Sequence, residues 1–135
     1  MNVRDVMSSD VTCLACGDSL RDAASKMAEI NVGSLPVIDG GKLAGVVTDR
    51  DIMVRAVAEG RAPDQAVDCA MTRDVVTVAP DTSVDEANRL MSDRQIRRLY
   101  VVDDGAVVGV LSLGDLVLDA EAQEAGQALR EISKE

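Results

Sequence analysis

No histidine, phenylalanine or tryptophan occurs in this chain of 135 residues, and Tyr100 is its one tyrosine. Without histidine there is no Ser-His-Asp triad, no imidazole base and little of the usual metal-ligating repertoire. Without aromatic rings there is no stacking platform for single-stranded nucleic acid. Basic residues are outnumbered 14 to 24, and the net charge of −10 opposes non-specific attraction to DNA, RNA or an anionic membrane. No apolar run approaches membrane-spanning length and no charged-then-apolar leader opens the chain, so a cytoplasmic protein is expected. Three cysteines, an odd number, argue against a disulfide framework and suit a reducing compartment.

What is present is an aliphatic core. Hydrophobic residues make up 47% of the chain and charged residues 28%, the balance of a globular protein built on Val, Ala, Leu, Met and Ile. The length fits one compact domain or two small halves that fold together. The chain is also a tandem repeat. Met7 and Met71 stand 64 positions apart, and the same offset carries Ser19 to Ser83, Met27 to Met91, Val37 to Val101, Gly45 to Gly109 and Asp51 to Asp115 without a gap. Two copies of one unit meet near Gly60-Arg61-Ala62-Pro63.

Each copy reads β-α-β-β-α. In the first, Val11-Thr12-Cys13-Leu14 is a short β-type run, and Ser19 with Asp22 opens a helix as a capping pair. Leu20, Ala23, Ala24, Met27 and Ile30 recur at helical spacing. Leu35–Ile38 and Leu43–Thr48 read as strands around an Asp39-Gly40-Gly41 turn, and a helix is expected over Asp49–Glu59. The second copy repeats this with strands Val75–Val78, Leu99–Val102 and Val107–Ser112 and a helix Ser83–Asp93. Such a unit is too small to be stable alone, so two units pairing sheet to sheet are expected, with a cleft between them. The expected divisions are 1–62 for the first repeat, 63–120 for the second and 121–135 for an acidic helical extension.

The strongest local pattern is Gly45-Val46-Val47-Thr48-Asp49-Arg50-Asp51, matched by Gly109-Val110-Leu111-Ser112-Leu113-Gly114-Asp115. Each places a hydroxyl and an acid three residues apart at a strand-to-helix junction. Helix capping accounts for that spacing in full. The same atoms also suit a ligand. A carboxylate there accepts both hydrogen bonds of a vicinal diol such as a ribose, and the neighbouring hydroxyl and N–H groups take further polar atoms or a phosphate.

The ungapped twofold repeat, the Asp-Gly turns and the paired G-h-h-T/S-x-x-D junctions closely resemble a tandem pair of cystathionine-β-synthase (CBS) domains, a Bateman module. The resemblance runs from about Val3 to Ala120. It implies an α/β fold of two β-α-β-β-α repeats in pseudo-twofold arrangement, sheets face to face and helices outside. It also implies two pockets, each drawing on both repeats. The first combines Thr48, Arg50 and Asp51 with Thr77, Pro80, Ile96, Arg97 and Arg98. The second combines Ser112, Gly114 and Asp115 with Cys13, Cys16, Val32, Gly33 and Ser34. Three arginines on the first pocket favour a phosphate. Helix faces around Leu20–Ile30 and Val84–Met91 carry more apolar surface than one unit covers, so a homodimer is expected, and the resemblance adds a preference for a disc of two CBS pairs, four repeats in all.

Cys13-Leu14-Ala15-Cys16 has C-x-x-C spacing but falls on a strand rather than a helix N-terminus, which suits packing or pocket lining better than redox or zinc chemistry. No activated nucleophile or acid–base pair is recognisable, so no enzyme is expected. The reading is therefore a regulatory module that senses an adenine nucleotide of the AMP, ADP or ATP type. It requires no cofactor, signals to an effector protein not identifiable from the sequence, and engages neither nucleic acid nor membrane. The alternatives are an interaction module with vestigial pockets, or one that binds an adenosyl compound or a metal.

Overall fold

A computed structural model of the chain describes residues 1–114. They divide into two compact units. One comprises Thr12–Val76 with Asp104–Val107; the other comprises Met1–Val11, Thr77–Asp103 and residues 108–114. We call them the first-repeat and second-repeat units after the sheet that each carries.

The first-repeat unit holds β1 (Leu14–Ala15), α2 (Leu20–Ile30), β2 (Ser34–Asp39) and β3 (Lys42–Thr48), preceded in the chain by the short α1 (Val3–Val6). Its sheet has the order β1-β2-β3. β1 runs parallel to β2 with Leu14 opposite Val37, and β2 runs antiparallel to β3 from Ser34 opposite Thr48 to Asp39 opposite Lys42. The hairpin closes on Gly40 (φ 58°) and Gly41 (φ 81°), the left-handed pair that a two-residue turn of matching twist requires. Ser19 caps α2 reciprocally: its hydroxyl accepts from the Asp22 N–H at 3.0 Å, and the Asp22 carboxylate accepts from the Ser19 N–H at 3.1 Å. Asn31, left-handed at φ 56°, ends the helix. Leu20, Ala23 and Met27 are buried with Leu14, Leu35, Val37 and Val47, which makes the helix-period stripe the roof of an aliphatic core.

After β3 the chain forms one α-helical turn, α3 (Asp49–Asp51), and continues as a π-helix, Ile52–Val57. The helix expected here is present, but its hydrogen bonds widen, as from the Ala58 N–H to the Met53 carbonyl. Met53, Val54 and Val57 are left exposed on it. A segment from Pro63 to Thr72 then laces back over the same unit. The first two N–H groups of α2, on Leu20 and Arg21, donate to the carbonyls of Gln65 and Pro63. Val67, in a 3-10 turn (Val67–Cys69), and Ala70 are fully buried in the core. Thr72 and Val46 exchange N–H···O bonds of 2.8 and 2.9 Å at the open edge of β3.

The second-repeat unit repeats the pattern. β4 (Thr77–Val78) runs parallel to β5 (Arg98–Asp103) with Val78 opposite Val101, the Leu14–Val37 pairing shifted by one repeat, and β6 (Ala106–Ser112) completes the sheet. α4 (Val84–Arg94) is capped by Ser83 and ends on left-handed Gln95. The arm on this sheet is the N-terminus. The Val3 and Arg4 N–H groups donate to the Thr82 and Pro80 carbonyls, and Ser8 and Val110 exchange two bonds of 2.9 Å. The arms explain a glycine that the motif alone does not. A Cβ on Gly45 would lie 2.6 Å from the Thr72 carbonyl oxygen, and one on Gly109 would lie 3.0 Å from that of Ser8. Both glycines let an arm backbone close on the strand.

Candidate functional site

At the end of β3 the capping box is formed. The Thr48 hydroxyl accepts from the Asp51 N–H at 3.0 Å, and Asp51 Oδ2 accepts from the Thr48 N–H at 3.0 Å. Asp51 Oδ1 lies 3.9 Å from the Nε of Arg55, one turn on, and the Asp51 side chain keeps 16% exposure. The carboxylate thus spends one oxygen on the cap and turns the other toward Arg55. Beside it the Asp49 N–H donates to the Gly33 carbonyl at 3.0 Å, and Ser34 pairs with Thr48 across the sheet. Gly33, Ser34, Thr48 and Asp51 therefore meet at one corner of the first-repeat unit. Arg50 is exposed there and Val32 is half-buried below.

Cys16 is placed elsewhere. Its N–H donates to the Ile38 carbonyl, beside the hairpin end of the sheet, roughly 13 Å of extended chain from Ser34. Cys13 lies on the other side of β1, its carbonyl accepting from the Lys26 ammonium at 3.4 Å. Burial pushes the Cys13 thiol up, with Lys26 partly opposing. Desolvation and then the carboxylates of Asp39 and Asp68 push Cys16 up, with Arg73 opposing. Both thiols are thereby held protonated, the reverse of what a thiolate nucleophile or zinc ligand needs. Among the described residues no three metal-ligating side chains cluster.

The second-repeat unit builds the matching corner with other chemistry. The Leu113 N–H donates to the Arg97 carbonyl at 2.8 Å, as Asp49 does to Gly33. Arg97 is exposed, while Ile96 and Arg98 are half-buried, Arg98 opening β5. Thr77 pairs with Tyr100, two residues further along β5. Pro80, like Cys16, falls past the far end of its parallel strand, where its carbonyl holds the arm. Ser112 ends β6 and Gly114 follows it two residues on, at the start of a helical turn; Asp115 and the expected extension lie outside the described residues.

Two features escaped the sequence reading: the arms, and Arg55, whose Nη1 reaches the Ala70 and Met71 carbonyls and the Thr72 hydroxyl at 3.4, 3.5 and 3.1 Å. The four-residue spacing from Asp51 was the available signal for Arg55.

A doubled sheet-and-helix unit with a capped acid after its third strand is the architecture of a CBS pair. The CBS domain model matches residues 3–57 and 66–120, and the chain belongs to that family. It is a CBS domain pair, a regulatory module. It is 40% identical to the CBS domain-containing protein YhcV of Bacillus subtilis over 133 residues, 98% of this chain and 95% of that one. Its fold matches CBSX2 in complex with AMP (TM-score 0.81, 30% identity, 91% and 98% of the two chains). It also matches the CBS domain pair of protein MJ0100 in complex with 5′-methylthioadenosine and S-adenosyl-L-methionine (TM-score 0.78, 30% identity, 91% and 98%). Among the described residues no helix is long and apolar enough to cross a membrane.

Proposed function

We propose that this CBS pair is a non-catalytic sensor of adenine nucleotides. The carrying observation is the Asp51 carboxylate: one oxygen is fixed by the cap, and the other, held only by a 3.9 Å approach of Arg55, stands at the corner formed by Thr48, Gly33 and Ser34. That is a preorganised acceptor for a ribose diol, and two neighbours of this fold hold adenosyl ligands. In the first pocket Asp51 takes the diol with Thr48 beside it. Arg50, Arg97 and Arg98 take the phosphate, and Ile96 flanks the base, with Thr77 completing the wall; Pro80, at the hairpin end of its sheet, drops out of this pocket. The second pocket, with Ser112, Gly114, Asp115, Cys13, Val32, Gly33 and Ser34 but without Cys16, lacks the arginines and takes a nucleotide more weakly or prefers a neutral nucleoside. The module works as a homodimer, for which the exposed Met53, Val54 and Val57 offer an apolar surface. It works in the reducing cytoplasm to which an odd count of three cysteines is suited, and it reports to a protein effector.

A second reading has its own support: the Thr48–Asp51 box is fully formed as a reciprocal helix cap. Melting against AMP, ADP, ATP, adenosine, S-adenosylmethionine and divalent metals separates the two. A rise in Tm with adenylates supports the sensor, and no rise with any of them leaves only the cap. Sedimentation giving a species of 14.2 kDa at micromolar concentration would count against the dimer.

A further inference from the structure

We propose that Arg55 is a strap that couples the Asp51 carboxylate to the connector leading into the second repeat, so that a ligand taking Asp51 is felt at Thr72. This rests on the reading of Asp51 as the diol acceptor. One edge of the guanidinium faces Asp51, with Nε 3.9 Å from Oδ1. The other faces the arm, with Nη1 3.1 Å from the Thr72 hydroxyl and 3.4 and 3.5 Å from the Ala70 and Met71 carbonyls. A planar fork with fixed donors on two edges can span both partners at once, where the compact ammonium of a lysine presents its donors from a single point.

The strap closes a ring. Thr72 is bonded in both directions to Val46, and Val46 lies two residues before Thr48 in β3. Asp51 is bonded to Thr48 through the cap. Asp51 and Thr72 are thus joined twice, through the strand and through Arg55. The strand link is rigid. The Arg55 link is half-exposed, at 49%, and exposed ion pairs are weak. It therefore contributes little to stability, and its weakness lets a ligand displace it. A diol on Oδ1 competes for the acceptor that Arg55 faces and changes how firmly the fork holds the arm.

The device is one-sided. One repeat on, the positions of Arg55 and Thr72 correspond to Asp119 and Ser8. Asp119 is an acceptor and cannot donate to an arm carbonyl. The coupling therefore belongs to the first repeat alone, whose arm is the covalent connector between the repeats.

Amide hydrogen exchange at Thr72 and Val46 tests this in the full chain. Without ligand, Asp51→Asn and Arg55→Gln should each speed exchange there about two- to fivefold, the range an exposed ion pair supplies. The double variant should be no faster than either single one. Arg55→Lys should keep the charge but not restore the wild-type rate. Adding AMP or adenosine should shift the wild-type rate at these two amides and leave Arg55→Gln unmoved. Additive single variants, or an unchanged ligand response in Arg55→Gln, would overturn the strap and leave the sensor reading standing. Non-additive variants with no calorimetric response to AMP or adenosine would uphold the strap and overturn the adenylate reading.

Discussion

The two repeats share a backbone plan down to single hydrogen bonds, yet differ in charge at the same places. Gly33 and Ser34 correspond to Arg97 and Arg98, Arg50 to Gly114, and Arg55 to Asp119. The positions held in common are those the fold needs: the cap hydroxyls, the strand glycines and the buried Met27 and Met91. The positions that differ are polar and at the strand-to-helix corners, where packing makes no demand. Duplication preserved a scaffold and released its corners to diverge, so the module has two unequal ends.

The sharpest way to break the likeness is at the glycines. Gly45→Ala should cost about 2–3 kcal/mol, because the new methyl meets the Thr72 backbone, which is pinned on both sides. Gly109→Ala should cost about 1 kcal/mol, because its closest neighbour, Met7 Sδ at 2.5 Å, ends a flexible side chain. Urea unfolding of the two variants measures both, and equal losses would mean that the arms are held alike.

The arginines sharpen the difference in charge. Arg98→Ala should weaken AMP about tenfold and adenosine little, since a charge-assisted phosphate contact is worth roughly 1.5–3 kcal/mol. Equal losses for both ligands in calorimetry would place Arg98 off the phosphate.

The smallest effect concerns the helix caps. Hydrogen bonds from the Ser19 backbone, and then its side chain, hold the Asp22 carboxyl below its ordinary 3.8. A depressed acid stabilises the fold above its unfolded pKa and loses that contribution as the pH falls through the folded value. Between pH 5 and pH 3 the wild-type Tm should therefore fall slightly more than that of Asp22→Asn, and parallel curves would remove the cap from the account.

Most of the fold was legible because the repeat let each half check the other. The 64-residue offset predicted strands that the structure reproduces within a few residues, and Ser19 and Ser83 cap the helices as read. The arms were not legible. Pairing Ser8 with Val110, or Thr72 with Val46, depends on one bridge between distant segments and leaves no local periodicity. For the same reason Gly45 reads as part of a ligand motif, although its contact is with an arm. At the site, spacing identified Thr48 and Asp51, but it does not show that Cys16 and Pro80 lie at the hairpin ends of their sheets. Strand register decides that, and register is a tertiary fact.

The most direct test of the sensor account is calorimetric titration of AMP into the wild type, Asp51→Ala and Asp115→Ala, with Asp51→Asn as a variant that keeps a capping oxygen. Asp51→Ala and Asp51→Asn should each weaken the tighter site by more than about tenfold, while Asp115→Ala spares it. Loss of the tighter site in Asp115→Ala with Asp51→Ala intact would contradict the assignment of the two ends. Wild-type protein that takes up no AMP, with both alanine variants merely less stable, would reduce the two acids to helix caps.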